Sequence, residues 1–299
     1  TVVWRSASLG TPESVSVDCT GGSCWVGGET LIHLAGDGTE LWHGEAREFG
    51  YTRSVCVNPI DRSCWIGDAT KDEVVHLAVD GIELSRSGGF DYPTCVSVNP
   101  TDGSCWVADS GSDSVIRLAE DGTELWRNDM FANPLCLSVN CVDGSCWVAD
   151  SGGGAVVHLA EDGAELWRGG EFENPWSVSV NPADGSCWVA DWNAGEVIRL
   201  AEDGTELWRG DGFGWTASVC VNPSDGSCWV GFAGPPGVAH LAPDGRELWR
   251  GGRFDWPRAL SVNPVDGSCW VADNDDSQVV HLTICSRFDD VGCDSWACE

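Results

Sequence analysis

The tripeptide Ser-Cys-Trp occurs seven times in this chain of 299 residues, at intervals of 40 or 41 residues. Its cysteines are Cys24, Cys64, Cys105, Cys146, Cys187, Cys228 and Cys269. A period of this length is typical of propellers and solenoids, in which each repeat buries its faces only against its neighbours. The sequence therefore predicts one structural unit repeated seven times.

Each repeat contains four short β-like runs, here called strands a to d, separated by turn residues. In the fifth repeat they are Ser177–Val180, Ser186–Ala190, Glu196–Leu200 and Thr205–Arg209. Asp-Gly lies between strands a and b and again between c and d, which is a strong hairpin signal. Four antiparallel strands per repeat indicate a propeller blade. We therefore predict an all-β fold, a seven-bladed β-propeller.

The two ends of the chain together complete the seventh blade. Strand c of that blade, Val279–Leu282, is followed by no Asp-Gly turn, so its strand d is missing. Val3–Arg5 matches the Leu-Trp-Arg pattern of strand d, as at Leu207–Arg209. We expect this N-terminal strand to close the ring, with Trp4 facing the third strand of blade seven, and so to remove an open sheet edge. Residues 1–282 then form the propeller, and residues 283–299 form a tail.

The blade pattern resembles two known groups of propellers. Strand a ends in Asn-Pro, and Asp-Gly-Ser-Cys-Trp-Val-Ala-Asp, an apolar strand c, Asp-Gly and strand d follow. This order resembles NHL-repeat propellers, and it is similar to the seven-bladed virginiamycin B lyase-like proteins. The resemblance covers residues 1–282 and implies the fold. No blade departs from its neighbours to present the catalytic Glu and His of the lyases, so no catalytic residue is carried over.

Sixteen cysteines indicate an oxidising compartment, and we expect an extracellular or cell-surface protein. The chain begins inside a strand without Met or a leader pattern, which we interpret as a mature form. No apolar run is long enough to insert into a membrane.

The register of the first hairpin predicts disulfides. If its turn is centred on Asp-Gly, two pairs of cysteines lie directly opposite each other across strands a and b, and two further pairs lie diagonally. The four predicted disulfides are, in that order, Cys56–Cys64, Cys220–Cys228, Cys95–Cys105 and Cys136–Cys146.

The formal net charge is −31, and Lys71 is the single lysine. Nucleic acids and anionic membranes would be repelled, so we expect protein partners, self-association or divalent cations instead. Five blades end strand b in an aspartate. They are Asp68, Asp109, Asp150, Asp191 and Asp273. These carboxylates are candidate Ca²⁺ ligands, although the fold requires no cofactor. The alternative is that each accepts N–H bonds from its own loop.

Strand c carries a histidine in five blades and an arginine in the other two, at one equivalent position. A metal ligand or general base would not be interchangeable with arginine, so we interpret these residues as structural. With the turn centred on Asp-Gly, these residues face the tryptophan of strand d, for example His33 with Trp42, except in blade two, where His76 faces Ser85. Stacking of an imidazole or guanidinium on the indole explains the exchange.

Strand direction alternates, so the a–b and c–d turns lie at one end of the disc, here the turn end. The b–c and d–a connections lie at the other, the variable end, where sequence differences concentrate. Irregular loops on a rigid scaffold commonly bind partners. The predicted interaction patch is Trp192, Phe213, Trp215, Phe232 and Trp256. The alternative is that these side chains pack on their own loops.

Near-identity of the blades argues against catalysis, which needs unlike groups converging on one spot. We therefore predict a non-enzymatic extracellular interaction module that self-assembles into a surface filament. The alternative is a metal-dependent lyase-like or hydrolytic enzyme with its site at the central mouth. The tail either caps its own ring or docks on the next molecule. The residues assigned to closure and assembly are Trp4, Cys285, Cys293, Trp296 and Cys298.

Overall fold

The computed structural model describes residues 1–45 and 47–283. That part of the chain forms 28 β-strands in seven four-stranded antiparallel sheets. The innermost strands of consecutive sheets contact one another in a closed cycle, so the sheets form a ring of seven blades. The predicted fold class is confirmed. The described residues contain no helix with the length and apolarity needed to cross a membrane.

In chain order, the strands are β1 (Val2–Arg5), β2 (Pro12–Asp18), β3 (Ser23–Gly28), β4 (Ile32–Leu34), β5 (Glu40–His43), β6 (Thr52–Val57), β7 (Cys64–Asp68), β8 (Glu73–Leu77), β9 (Glu83–Gly88), β10 (Pro93–Val98), β11 (Cys105–Asp109), β12 (Ser114–Leu118), β13 (Glu124–Asn128), β14 (Pro134–Val139), β15 (Cys146–Asp150), β16 (Ala155–Leu159), β17 (Glu165–Gly169), β18 (Pro175–Val180), β19 (Cys187–Asp191), β20 (Glu196–Leu200), β21 (Glu206–Gly210), β22 (Thr216–Val221), β23 (Cys228–Ala233), β24 (Pro236–Leu241), β25 (Glu247–Gly251), β26 (Pro257–Val262), β27 (Cys269–Asp273) and β28 (Gln278–Leu282). Strands β2 to β5 form blade one, and each later group of four forms the next blade. Blade seven consists of β26, β27, β28 and β1.

The N-terminal strand completes blade seven. It pairs antiparallel with β28 and places Trp4 opposite His281. The Trp4 Nε1–H donates to the carbonyl oxygen of Gly36 in blade one at 2.8 Å. Thr1 and Thr283 exchange backbone hydrogen bonds of 2.6 and 2.9 Å. The predicted closure is therefore confirmed, and it also ties blade seven to blade one.

The tryptophan of each Ser-Cys-Trp is buried between blades. These side chains are at most 1% exposed: Trp25, Trp65, Trp106, Trp147, Trp188, Trp229 and Trp270. Trp25 of blade one packs in a cluster with Val57, Cys64 and Ile66 of blade two. Burial of one indole removes enough apolar surface from water to contribute on the order of 4 kcal/mol. The repeated tripeptide thus forms the boundary between neighbouring blades.

The predicted cross-strand pairs are present: His33 with Trp42, Arg117 with Trp126, His158 with Trp167, Arg199 with Trp208 and His240 with Trp249. The predicted stacking partner is wrong. The His33 ring stacks on Trp25, with 4.5 Å between centroids and 9° between planes, and its Nε2 lies 2.8 Å from Ser23 Oγ. Trp42 tilts against Trp25 at 5.3 Å. The imidazole therefore stacks on the buried indole of strand b and not on the outer indole of strand d.

The first hairpin of each blade has a register one residue away from the predicted one. The Asn58 N–H donates to the Ser63 carbonyl oxygen, because the turn contains one more residue than expected. Cys56 consequently lies opposite Trp65, and Val57 lies opposite Cys64.

Adjacent residues of a strand point to opposite faces, so each predicted cysteine pair is divided between the two faces of its sheet. The cysteines of the described residues are free thiols. The predicted disulfides are therefore wrong: Cys56–Cys64, Cys220–Cys228, Cys95–Cys105 and Cys136–Cys146.

The first strands of neighbouring blades are joined by hydrogen bonds around the central channel. The Val57 N–H donates to Ser16 Oγ of the preceding blade at 2.9 Å. The Val98 N–H donates in the same way to Cys56 Sγ at 3.4 Å. Cys56 thus takes the place of a serine as the acceptor of an inter-blade hydrogen bond.

Replacing Trp4 should weaken ring closure. Trp4→Ala removes the contact with Trp270, whose ring centroid is 5.1 Å away, and the bond to Gly36. We expect a loss of about 2–3 kcal/mol, since Trp4 is only partly buried. Val3→Ala in the same strand is the control, because Val3 is 51% exposed. Urea denaturation followed by circular dichroism measures both, and equal midpoints would contradict the assigned role of Trp4.

The two cysteines of one hairpin should respond differently to serine. Cys56→Ser should be nearly neutral, because serine accepts the same inter-blade bond in other blades. Cys64→Ser should cost about 1–3 kcal/mol, because it puts a hydroxyl into the apolar cluster around Trp25. Thermal unfolding of both variants in reducing and non-reducing buffer tests this. Equal losses, or a loss in wild type on reduction, would contradict the register.

Candidate functional site

A ring of seven residues of six different types surrounds the central channel. The second residue of each first strand lies where the pairing register shifts, so each occupies a β-bulge. The ring consists of Glu13, Arg53, Thr94, Leu135, Trp176, Ala217 and Arg258. All seven line one cavity of about 240 Å³. The repeat is nearly constant elsewhere in its strands, so this ring gives the channel its chemical asymmetry.

The charged members of the ring lie close together. The Glu13 carboxylate accepts the Arg258 Nε–H at 3.0 Å and is 4.0 Å from the Arg53 guanidinium. Asn274 Nδ2–H donates to its other oxygen at 2.8 Å. Burial and a hydrogen bond to Glu13 raise the pKa of Tyr51 far above its ordinary value.

The environment of Glu13 keeps its carboxylate ionised. Burial by itself raises the pKa of Glu13, but the charge of Arg258 and hydrogen bonds from Tyr51 and Arg258 outweigh burial and lower it. Burial, followed by the like charge of Arg53, lowers the pKa of Arg258. Glu13 is therefore a counter-ion to two arginines and not a base poised near neutral pH.

Four tryptophans cluster at the variable end of the channel, and we call them the tryptophan patch. They are Trp176, Trp192, Trp215 and Trp256. Trp192 lies at the centre, with centroid distances of 5.1 Å to Trp176, 5.8 Å to Trp256 and 6.0 Å to Trp215, the last nearly parallel. Trp215 is 56% exposed. The Arg258 guanidinium lies 5.0 Å from the Trp176 centroid, which joins the patch to the charged ring.

The predicted interaction patch is only partly brought together. Trp192, Trp215 and Trp256 lie in one cluster, but Phe213 and Phe232 are buried, 4% and 2% exposed. They pack on each other in the core between blades five and six, because both rings face the apolar sheet surface there. These two residues therefore form no part of an exposed surface, and that part of the prediction is wrong.

The five strand-end aspartates lie one to a blade. Each accepts backbone N–H bonds from the d–a connection that enters its blade, for example Asp109 from Asp91 at 2.8 Å and Asp191 from Glu173 at 2.8 Å. Equivalent bonds serve the other three: Asp68, Asp150 and Asp273. Within the described part of the chain, no three His, Cys, Asp or Glu side chains are grouped as metal ligands. The Ca²⁺ prediction remains untested.

Several functional candidates were missed by sequence reasoning. Four of them occupy the second position of strand a in their blades: Glu13, Arg53, Trp176 and Arg258. The residue at this position differs between blades while the rest of the strand is nearly constant, and this difference could have identified the site from the sequence. Cys95 and Cys136, predicted in disulfides, instead line the channel in adjacent blades with 3.9 Å between their sulfurs. The predicted assembly residues of the tail lie outside the described residues: Cys285, Cys293, Trp296 and Cys298.

Comparison with known proteins supports the fold and goes no further. No protein-family model and no curated protein matches the sequence. Among solved structures, Kuenenia stuttgartiensis hydrazine synthase is similar, with a TM-score of 0.80 and 14% identity over 93% of this chain and 97% of that one. At this identity the likeness shows a shared propeller fold alone. The resemblance to NHL-repeat and virginiamycin B lyase-like propellers is not confirmed at the level of family.

Two buried aspartates should give opposite pH dependences. Burial raises the pKa of Asp273 to about 6, although N–H bonds from Trp256 and Asp255 oppose this. Its stabilising contribution is therefore present below the unfolded pKa and lost as the pH rises through about 6. For Asp18, burial is outweighed by hydrogen bonds from Thr20 and the Gly21 N–H, among others, so its pKa is lowered.

We therefore expect Asp273→Asn to gain up to about 2 kcal/mol over wild type as the pH rises from about 4 to 7. Asp18→Asn should instead lose stability relative to wild type over the same interval. Urea denaturation across this range measures both variants. Parallel profiles for the two variants would contradict the assigned environments.

Proposed function

We propose that this chain is a non-enzymatic interaction module that binds through the tryptophan patch at the variable end of the ring. The observation that carries the proposal is the grouping of four indoles beside the channel mouth, with Trp215 56% exposed. Indole clusters provide large, rigid contact areas, and contiguous exposed apolar patches mark interaction sites. The remainder of the patch is half-buried, so it is preorganised before a partner arrives.

The partner proposed for this patch is a second copy of the chain. The turn end carries three exposed apolar residues at one position of the repeat, Ile60, Val142 and Val265, which are 75%, 73% and 77% exposed. Contact between the variable end of one ring and the turn end of the next is heterologous. Such a contact repeats without closing and builds a filament.

The charge of −31 opposes this assembly. Screening by salt, or bridging by divalent cations such as Ca²⁺, reduces repulsion between two acidic ends that approach within a Debye length. We propose an extracellular or cell-surface location. With the described cysteines free, that location no longer draws support from disulfides.

Self-association should depend on ionic strength and on the patch. We expect polymers at 0.15 M NaCl or with millimolar CaCl₂, and fewer at low salt. Trp215→Ser should abolish them, whereas Met130→Ser is the control, since Met130 is 72% exposed but lies in the connection between blades three and four, outside the patch. Sedimentation velocity and electron microscopy measure the outcome. A wild-type chain that stays monomeric in every buffer, or polymers unaffected by Trp215→Ser, would refute the proposal.

The tail is tested by the same measurement on a variant that ends at Leu282. Loss of polymers on truncation assigns the docking contact to residues 283–299, and retention assigns it to the tryptophan patch. Both outcomes are compared with the full-length chain in the same buffer.

The second candidate function is an enzyme with its site at the channel mouth, and the grouping of Glu13, Arg53, Arg258 and Tyr51 is the observation that favours it. The ring contains a single carboxylate, whose pKa is lowered by its arginine neighbours. This arrangement suits electrostatic binding better than proton abstraction. A hydrolase or lyase activity lost with EDTA and in Glu13→Gln would favour the enzyme.

A further inference from the structure

The central channel combines a positive charge with residues whose hydrogen-bonding groups have no partner in the described part of the chain. Two arginines and one glutamate, Arg53, Arg258 and Glu13, are the charged residues lining the cavity of about 240 Å³, so its lining has a net charge of +1. The rest of the chain is strongly acidic. An excess of guanidinium charge in this position concentrates anions from solution inside the channel.

Two of the residues that line the channel each have a buried side-chain atom without a hydrogen-bond partner among the described residues. Arg258 is 11% exposed, and its Nε is bonded to Glu13, but its Nη1 is buried without an acceptor. Ser218, in the adjacent blade six, also lines the cavity, and its Oγ is buried without a partner. A buried donor left unsatisfied is costly, so each of these groups would gain from an acceptor in the channel.

The surroundings of these groups specify the kind of anion. A single excess positive charge balances a monoanion. Leu135 and Val219 contribute apolar wall beside the Trp176 ring, which lies 5.0 Å from the Arg258 guanidinium. A planar guanidinium that is stacked on an aromatic ring and weakly hydrated is suited to a carboxylate, which it meets in matching planar geometry.

We propose that the central channel is a binding site for a small organic monocarboxylate, held by Arg258 and Arg53 and by the hydroxyl of Ser218. The apolar part of the acid lies against the wall formed by Leu135, Val219 and Trp176. Glu13 competes with the ligand for the same two arginines and limits its affinity. This site lies inside the channel and shares only Trp176 with the tryptophan patch.

Isothermal titration calorimetry with sodium acetate and sodium benzoate, at constant ionic strength, tests the proposal on the full chain. Sodium chloride and inorganic phosphate are the comparison anions. Wild type should bind a carboxylate at millimolar concentration or tighter and at least ten-fold more tightly than chloride. Arg258→Gln should weaken this binding at least ten-fold, and Glu13→Gln should strengthen it several-fold because the competing carboxylate is removed.

The matched control is Arg47→Gln, because Arg47 pairs with Glu45 on the surface and its side chain is 78% exposed. Its binding should equal that of wild type. If Arg258→Gln does not fold, Ser218→Ala replaces it. This variant should fold, since blade seven already carries Ala259 at the equivalent position, and it should weaken binding several-fold because the hydroxyl is lost. No carboxylate binding, binding of chloride or phosphate alone, or equal affinity in folded Arg258→Gln would overturn the proposal, as would weaker binding in Glu13→Gln.

Discussion

Burial of one tryptophan between every two blades is the interaction on which the ring depends. A four-stranded blade of about 40 residues has two faces and cannot cover either of them by itself. Trp25 and its six equivalents cover the face of the next blade, where they pack against cysteine and valine side chains. The same indoles carry the stacked histidine or arginine. Loss of one indole would therefore disturb two blades at once.

A second contact fixes the outer edge of each boundary. Trp167 of blade four lies over the c–d turn of blade five, where Gly204 has a φ of +83°. A Cβ on Gly204 would lie 1.9 Å from the Trp167 ring. Glycine at this turn is therefore required for backbone conformation and for the close approach of the neighbouring indole. The Asp-Gly pairs act in the assembly of blades as well as in hairpin formation.

The architecture could be predicted because it depends on features that recur in every repeat. The period, the Asp-Gly turns and the strand-d pattern at Trp4 predicted seven blades, their pairing and the closure by β1. The predicted register of the first hairpin was wrong by one residue. Its turn pairs Asn58 with Ser63, whereas the prediction paired Asn58 with Arg62, which stands where the other blades have glycine. A shift of one residue moves every side chain to the other face, and so it invalidated all four cysteine pairs.

The repeat pattern predicted the fold but gave no indication of the charged residues that meet in the channel. Glu13, Arg53 and Arg258 are far apart in sequence, and only the ring geometry brings both arginines within 4.0 Å of the Glu13 carboxylate. Because every blade has a bulge at the same position of its first strand, the seven residues at that position lie next to one another around the channel. Seven copies of one scaffold therefore present six kinds of side chain to one cavity without disturbing the strands that hold them. Trp176 joins the tryptophan patch from this ring, and the other three tryptophans of the patch come from loops whose lengths and partners no periodic pattern describes.

The pairing of β1 with β28 has a consequence for biosynthesis. Trp4 and His281 are 277 positions apart, so at about 5–20 residues per second the ribosome completes the partner strand roughly 15–60 s after β1 emerges. During this interval β1 is an unpaired strand, and blade one presents an uncovered apolar face. Two nascent chains on one polysome could exchange β1, since each offers the strand that the other needs. Closure within one chain therefore competes with strand exchange, and slower translation of the last blade favours the exchanged product.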